Sequence, residues 1–509
     1  MAAKIDSALE VLFSTAHDPA GAQRVSRLAR AGRLRKIRAG IYTPNLEGPL
    51  DAIVSRNWRP IAGHLISGAV IGYRSATKGG PDAGKLILVY GARARRIKLP
   101  GLELVVVPGA AAVTDGAAPD VAYPPLFLAS EPRRLLENLA TSRGSAERAL
   151  GQEAVESELA QILTLRGEQR LNALRDQARE LAPRLGLELE FKKLNVIVGA
   201  LLGTHAAKKL RARDALARAA GRPYDPDRAL LFDVLFAALH QAKFEQLPDP
   251  ARTARAVESF AFFESYFSNY IEGTTFTVDE AEEIVFHGRI IERRSEDSHD
   301  VLGTFRAITT APWRASPPSD AEGFLAWIKG INALVLQSRA DKNPGEWKSE
   351  PNRAGDTYFV LPELVPGTMR EGFARIQALT EPLARALMAM FVVSEVHPFA
   401  DGNGRTARIA MNAHLTEAGL SRVMIPTVYH EDYLLPLKAL SQNREPAGYI
   451  RSMTRAQRWS AAFDYDHDLN ELRETLARCN AFKEDLRNFK LVFPERRANE
   501  SHAGNGAPQ

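Results

Sequence analysis

His397-Pro398-Phe399-Ala400-Asp401-Gly402-Asn403-Gly404-Arg405-Thr406-Ala407-Arg408 decides how the rest of the chain is read. A mostly apolar run, Leu383 to Val396, precedes it and predicts a buried helix; Ile409 to Ala418 predicts a second helix directly after it. The twelve residues are therefore a loop whose second half lies at a helix N-terminus. Gly402, Asn403 and Gly404 allow successive backbone N–H groups to turn into one concavity, an anion nest at the positive end of the helix dipole. Arg405 and Arg408, three apart, share a helix face and can serve the same phosphates. Asp401 is placed to hold a hard cation such as Mg²⁺. His397, at the loop mouth, can take a proton from a hydroxyl.

The string resembles the Fic family motif HxFx(D/E)GNGRxxR at all eight of its specified positions. The resemblance implies an all-helical Fic domain with a β-hairpin flap, and transfer of AMP from ATP to a protein Ser, Thr or Tyr hydroxyl. It implies His397 as catalytic base, Asp401 as Mg²⁺ ligand, Asn403 on the α-phosphate, and Arg405 and Arg408 on the β- and γ-phosphates. Upstream, Ser268-Asn269-Tyr270-Ile271-Glu272-Gly273 resembles the family's inhibitory motif (S/T)xxxE(G/N). That resemblance implies that Glu272 pairs with Arg408 and blocks the γ-phosphate position. Phe260, Phe263 and Phe267 recur at helical spacing, predicting a helix over 254–272 closed by Gly273; Thr277 and Glu280 read as a capping box opening the next. Gly345 to Lys348 and Asp356 to Pro362, around an Asn352–Gly355 turn, correspond to the flap that clamps a target segment by strand addition. Lys348 stands where the family often has arginine. Tyr429 to Tyr449 predicts a further helical pair.

At 509 residues the chain exceeds one core. The apolar fraction of 45% and charged fraction of 25% are those of a globular protein. One cysteine, Cys479, excludes an intramolecular disulfide framework, no N-terminal apolar h-region is visible, and nowhere do eighteen apolar residues follow one another. The expectation is a cytoplasmic protein without membrane association, and a homodimer is left open. A net charge of +5 matters only where it is concentrated.

It is concentrated at the N-terminus. Arg24 to Arg38 holds seven basic residues and no acidic one. Helical patterns at Ile5–Phe13 and Gln23–Ala31, then a strand–turn–strand at Leu34–Tyr42, predict a winged helix whose basic residues can neutralise DNA phosphates. The segment resembles the N-terminal winged helix of AbiEi-type antitoxins, which implies self-repression at a promoter. Clear strands follow at Lys85–Tyr90 and Leu102–Val107, separated by a basic turn that includes Gly91 to Arg96. The expected organisation is mainly α: a winged-helix-like domain (1–48), a small α/β domain (49–130), a helical connector (131–245), a Fic domain with its inhibitory helix 254–273 (246–460), and a charged C-terminal helix to about Phe493 with a disordered tail (461–509). Two functions follow. One is a protein adenylyltransferase restrained by Glu272. The alternative is a DNA-binding, toxin–antitoxin-like regulator whose N-terminal half controls the Fic domain. Transfer of UMP, phosphocholine or a terminal phosphate stays open on the enzyme side.

Overall fold

Ala-, Leu- and Glu-rich runs dominate the chain and fold into helices, while all described strands but the short hairpin Arg353–Ala354 and Thr357–Tyr358 lie within the first 130 residues. The computed structural model describes residues 10–14, 19–141, 144–485 and 487–495. The chain divides into two compact units, Met1–Gly221 and Arg222–Gln509.

In the first unit a helix, Pro19–Arg30, leads into a hairpin of Arg35–Arg38 and Ile41–Thr43. The expected strand–turn–strand is thus present. The helix expected at Ile5–Phe13 lies partly outside the described residues; within them, Leu12–Phe13 is a strand pairing Leu12 with Tyr42. A six-stranded mixed sheet follows, in the order Arg95–Leu99, Leu102–Val107, Lys85–Val89, Val70–Ile71, Leu126–Leu128, Val121–Tyr123. The basic turn expected at Gly91–Arg96 is a correction: Arg95–Leu99 is itself a strand, antiparallel to Leu102–Val107. Its exposed Arg95, Arg96 and Lys98 lie on the sheet's outer edge, where charge guards the unpaired backbone. Hairpin and sheet share one apolar core, with Ile41 packed among Ile53, Leu88 and Leu104. A separate helical core is built from Gln152–Leu185, kinked at Gly167, with Glu188–Leu201.

The second unit is helical around one axis. Pro382–Val396 is buried along nearly its whole length and packs on Asn403–Glu417, so the motif loop joins the two central helices. Ala254–Ile271, Ser295–Thr309, Ala321–Val335 and Val365–Ala378 pack around them. Pro226–Gln241 joins this unit, with Phe232 edge-on to Phe391, so the stretch expected as a single connector is split between the units. The expected helical pair after the motif is His430–Asn443 and Pro446–Ser460. The long C-terminal helix is corrected to Leu469–Arg478, which closes at Asn480 with φ 64°. The tail from Asn499 lies outside the described residues. Among the described residues no helix is long and apolar enough to cross a membrane.

Candidate active site

The loop between the two central helices brings the motif residues together. Gly402, in the left-handed region at φ 73°, is the N-cap of Asn403–Glu417 and allows the turn. No side chain caps this first turn among the described residues, so the N–H groups of its first residues are open to an anion. The Asn403 side chain closes the loop on itself. Its Oδ1 accepts from Phe399 N at 2.8 Å and its Nδ2 donates to Phe399 O at 2.9 Å, tying the loop shut. From the opposite side, buried Asn332 donates to Asp401 O at 3.0 Å and accepts from Gly345 N at 3.0 Å.

The upstream helix reaches the same place. Ala254–Ile271 opens on Thr253, which accepts from Ala256 N, and ends before Gly273 at φ 91°. Thr277 and Glu280 form the expected capping box. Arg408 Nη2 donates to Glu272 Oε1 at 2.7 Å and to Ser268 O at 2.9 Å, while its Nε donates to Ser268 Oγ at 2.9 Å. Burial alone would raise the Glu272 carboxyl, but Arg408 and Arg405 outweigh it and hold the group below the usual carboxylate range. The carboxylate lies directly over the nest: a Cβ built on Gly404 would stand 2.1 Å from Glu272 Oε1. Only glycine leaves room for it there.

Arg405 is bound more deeply than the sequence suggested. Its Nη1 donates to Asp300 Oδ2 at 2.6 Å and to Asn269 Oδ1 at 3.2 Å, and its Nη2 lies 3.5 Å from Asp401 Oδ1. Asp300 is 1% exposed and also takes Arg339, at 2.8 Å. Asp300 and Arg339 carry no motif, and Asn269 is an unspecified position of the Ser268–Gly273 pattern, so sequence reasoning missed all three. Asp401 accepts from Gly402 N at 2.5 Å and keeps about a third of its surface exposed.

His397 takes a left-handed backbone, φ 52°, at the end of Pro382–Val396. Its ring lies parallel to that of Phe359, 3.9 Å between centroids, with Nδ1 3.4 Å from Ser394 O. Burial pushes its imidazole down to about 4, and the Lys348 ammonium acts in the same direction, so the ring is neutral at physiological pH. Phe359 belongs to the expected hairpin, whose strands are Arg353–Ala354 and Thr357–Tyr358, with Arg353 opposite Tyr358. The turn falls at Gly355–Asp356, two residues beyond the centre expected from the sequence.

Comparison with known proteins agrees with this geometry. Residues 322–415 match the Fic/DOC family. That segment contains the flap and the whole motif and stops short of Ser268 and Glu272. The chain is 26% identical over 200 residues to protein adenylyltransferase fic-1 of Caenorhabditis elegans, covering 38% of this chain and 39% of that protein. It is 29% identical over 184 residues to protein adenylyltransferase Fic of Nematostella vectensis, covering 35% and 43%. It thus spans about two-fifths of the length of these relatives. Among solved structures, Fic-1 (aa134–508) from C. elegans aligns over 61% of this chain and 91% of its own, at 19% identity and a TM-score of 0.36.

Proposed function

We propose that this chain is a protein adenylyltransferase that moves AMP from ATP to a protein hydroxyl and is restrained by its own Glu272. The contact that carries the reading is the Glu272–Arg408 pair, closed at 2.7 Å across the nest. With Glu272 in place, Arg408 is withheld from a terminal phosphate and a negative charge faces the triphosphate. When the carboxylate leaves, Arg408 and the nest can receive the β- and γ-phosphates. His397 then takes the proton of the target hydroxyl, whose oxygen bonds to the α-phosphorus as the α–β bridging bond breaks and pyrophosphate departs. A single carboxylate with partial exposure fits Mg²⁺, which takes one or two protein carboxylates beside substrate phosphates. Asp401 would hold that ion, and when bound it would supply charge neutralisation at the phosphates. The flap, with Tyr358 largely exposed, offers the edge along which a target segment would lie.

The test is incubation of wild type, Glu272→Gly and Glu272→Gly/His397→Ala with a target-containing lysate and ATP labelled at either the α- or the γ-phosphate. Label from the α-position alone, increased by Glu272→Gly and lost on adding His397→Ala, is expected. Label from the γ-position would mean phosphate transfer instead.

A DNA-binding role for the first unit is favoured by a separate observation. Arg38 Nη1 donates to Lys98 O at 3.0 Å, joining the exposed basic hairpin to the exposed basic strand Arg95–Leu99. Retention of promoter DNA by the full chain, falling steeply with salt, is the result expected. Binding insensitive to salt would contradict it.

A further inference from the structure

Lys348 is buried, 5% exposed, and no carboxylate pairs with it among the described residues. A buried ammonium without a counter-charge is costly, so its surroundings bear on why it stays. Its Nζ donates to Asn352 Oδ1 at 2.6 Å and to Val396 O at 3.4 Å, and its backbone N–H donates to Pro398 O at 2.9 Å. Asn352 in turn donates to Phe399 O at 3.0 Å and to His397 O at 3.5 Å. Trp347 stacks on Phe399 at 5.1 Å. The base of the flap therefore grips the loop on both sides of one residue, His397.

That residue holds a left-handed backbone, uncommon for any residue but glycine and sparsely populated enough to need support from its neighbours. The carbonyl of Val396 belongs to the peptide plane before His397, and the carbonyl of His397 to the plane after it. Fixing both planes fixes φ and ψ, and with them the direction in which the Cα–Cβ bond leaves the loop; the stack on Phe359 then orients the imidazole. We propose that Lys348 is a positioning residue for His397, holding the preceding peptide directly and the following one through Asn352, so that the flap and the base are one mechanical unit.

The inference rests on the reading of His397 as the base. It is tested with Lys348→Met, Lys348→Arg and Asn352→Ala in the full chain carrying Glu272→Gly, by kcat, KM for ATP and thermal midpoint. Lys348→Met should lower kcat at least tenfold with KM for ATP within twofold, since the nest and Arg408 are untouched. Its midpoint should not fall, because an unpaired buried charge has been removed. Asn352→Ala should show the same split. Lys348→Arg should restore most of kcat by returning a donor. An unchanged kcat in Lys348→Met, or a loss that tracks a lower thermal midpoint, overturns the inference.

The fate of His397 is also read without any turnover. Its ring resonances, assigned through His397→Gln, should move in Lys348→Met and stay in Lys348→Arg. If no transfer occurs in any variant, the base reading fails while the ring shift still upholds the Lys348 contact; no ring shift overturns it.

Discussion

Arg405 and Arg408 lie one turn apart on the same helix, yet they are bound in opposite ways. Arg405 faces Asp300, a carboxylate 1% exposed that also serves Arg339, and Asn269 from the upstream helix. Arg408 faces Glu272, which keeps 27% of its side chain exposed at a helix end beside Gly273. A buried, doubly used partner cannot be exchanged for a ligand without stripping two cations of their shared carboxylate, Arg339 keeping Glu296 and Asp297 and Arg405 keeping only Asp401 at 3.5 Å. A partly exposed partner at a chain turn can. Arg405 is thus held beside Asp401 by a buried carboxylate, and Arg408 by a partly exposed one, the difference on which the proposed restraint rests.

The largest effect that would break this contrast lies at Asp300. Asp300→Ala leaves Arg405 and Arg339 without their shared carboxylate, and loss of one member of a buried pair costs about 3–5 kcal/mol. Urea unfolding should show that loss. A change below about 1 kcal/mol would make Arg405 as exchangeable as Arg408.

Glu272→Gly should cost less stability than Asp300→Ala, because its carboxylate is partly exposed, and should raise transfer at least about tenfold, equivalent to about 1.4 kcal/mol of barrier. Ser268→Ala sharpens the same side: it removes one charge-assisted contact to Arg408, about 1.5–3 kcal/mol at most, and should raise transfer by less than Glu272→Gly. Equal activation by both would shift the restraint from the carboxylate to the helix as a whole.

The smallest effect is a pH dependence. Burial, with Arg228 adding in the same direction, pushes Lys348 down to about 8. The folded state therefore disfavours its proton: the penalty is present below 8 and relieved as pH rises from 8 towards the unfolded value. Stability should rise modestly over that window while transfer falls, as the ammonium contact to Val396 weakens. In Lys348→Arg, whose guanidinium does not titrate there, both trends should vanish in parallel melting and rate profiles.

What could be read from the sequence follows from how the contacts are distributed along the chain. The motif loop is contiguous, so its turn, nest and following helix are local facts, and they stand where expected. The Glu272–Arg408 contact was expected only from the resemblance of two short patterns to family motifs, since nothing local links residues so far apart in the chain. Asp300, Arg339 and Asn352 reach the same loop from separate elements, and no local periodicity marks them. The closure of the Asn403 side chain on Phe399 was likewise not legible, because the resemblance speaks only of a phosphate at that residue. The strand Arg95–Leu99 read as a turn because an edge strand replaces alternating apolar residues with charge. The C-terminal helix ends early because Asn480 takes the left-handed conformation that stops it, a signal weaker than glycine in that position.

The most direct measurement is the single-turnover rate of AMP incorporation, with ATP and Mg²⁺ saturating, for wild type and Glu272→Gly side by side with ATP affinity. Exchangeable restraint at Arg408 requires that wild type bind ATP yet transfer slowly, and that Glu272→Gly transfer at least about tenfold faster. A Glu272→Gly chain that binds ATP and transfers no faster than wild type would contradict it, leaving Ala254–Ile271 a structural helix and nothing more.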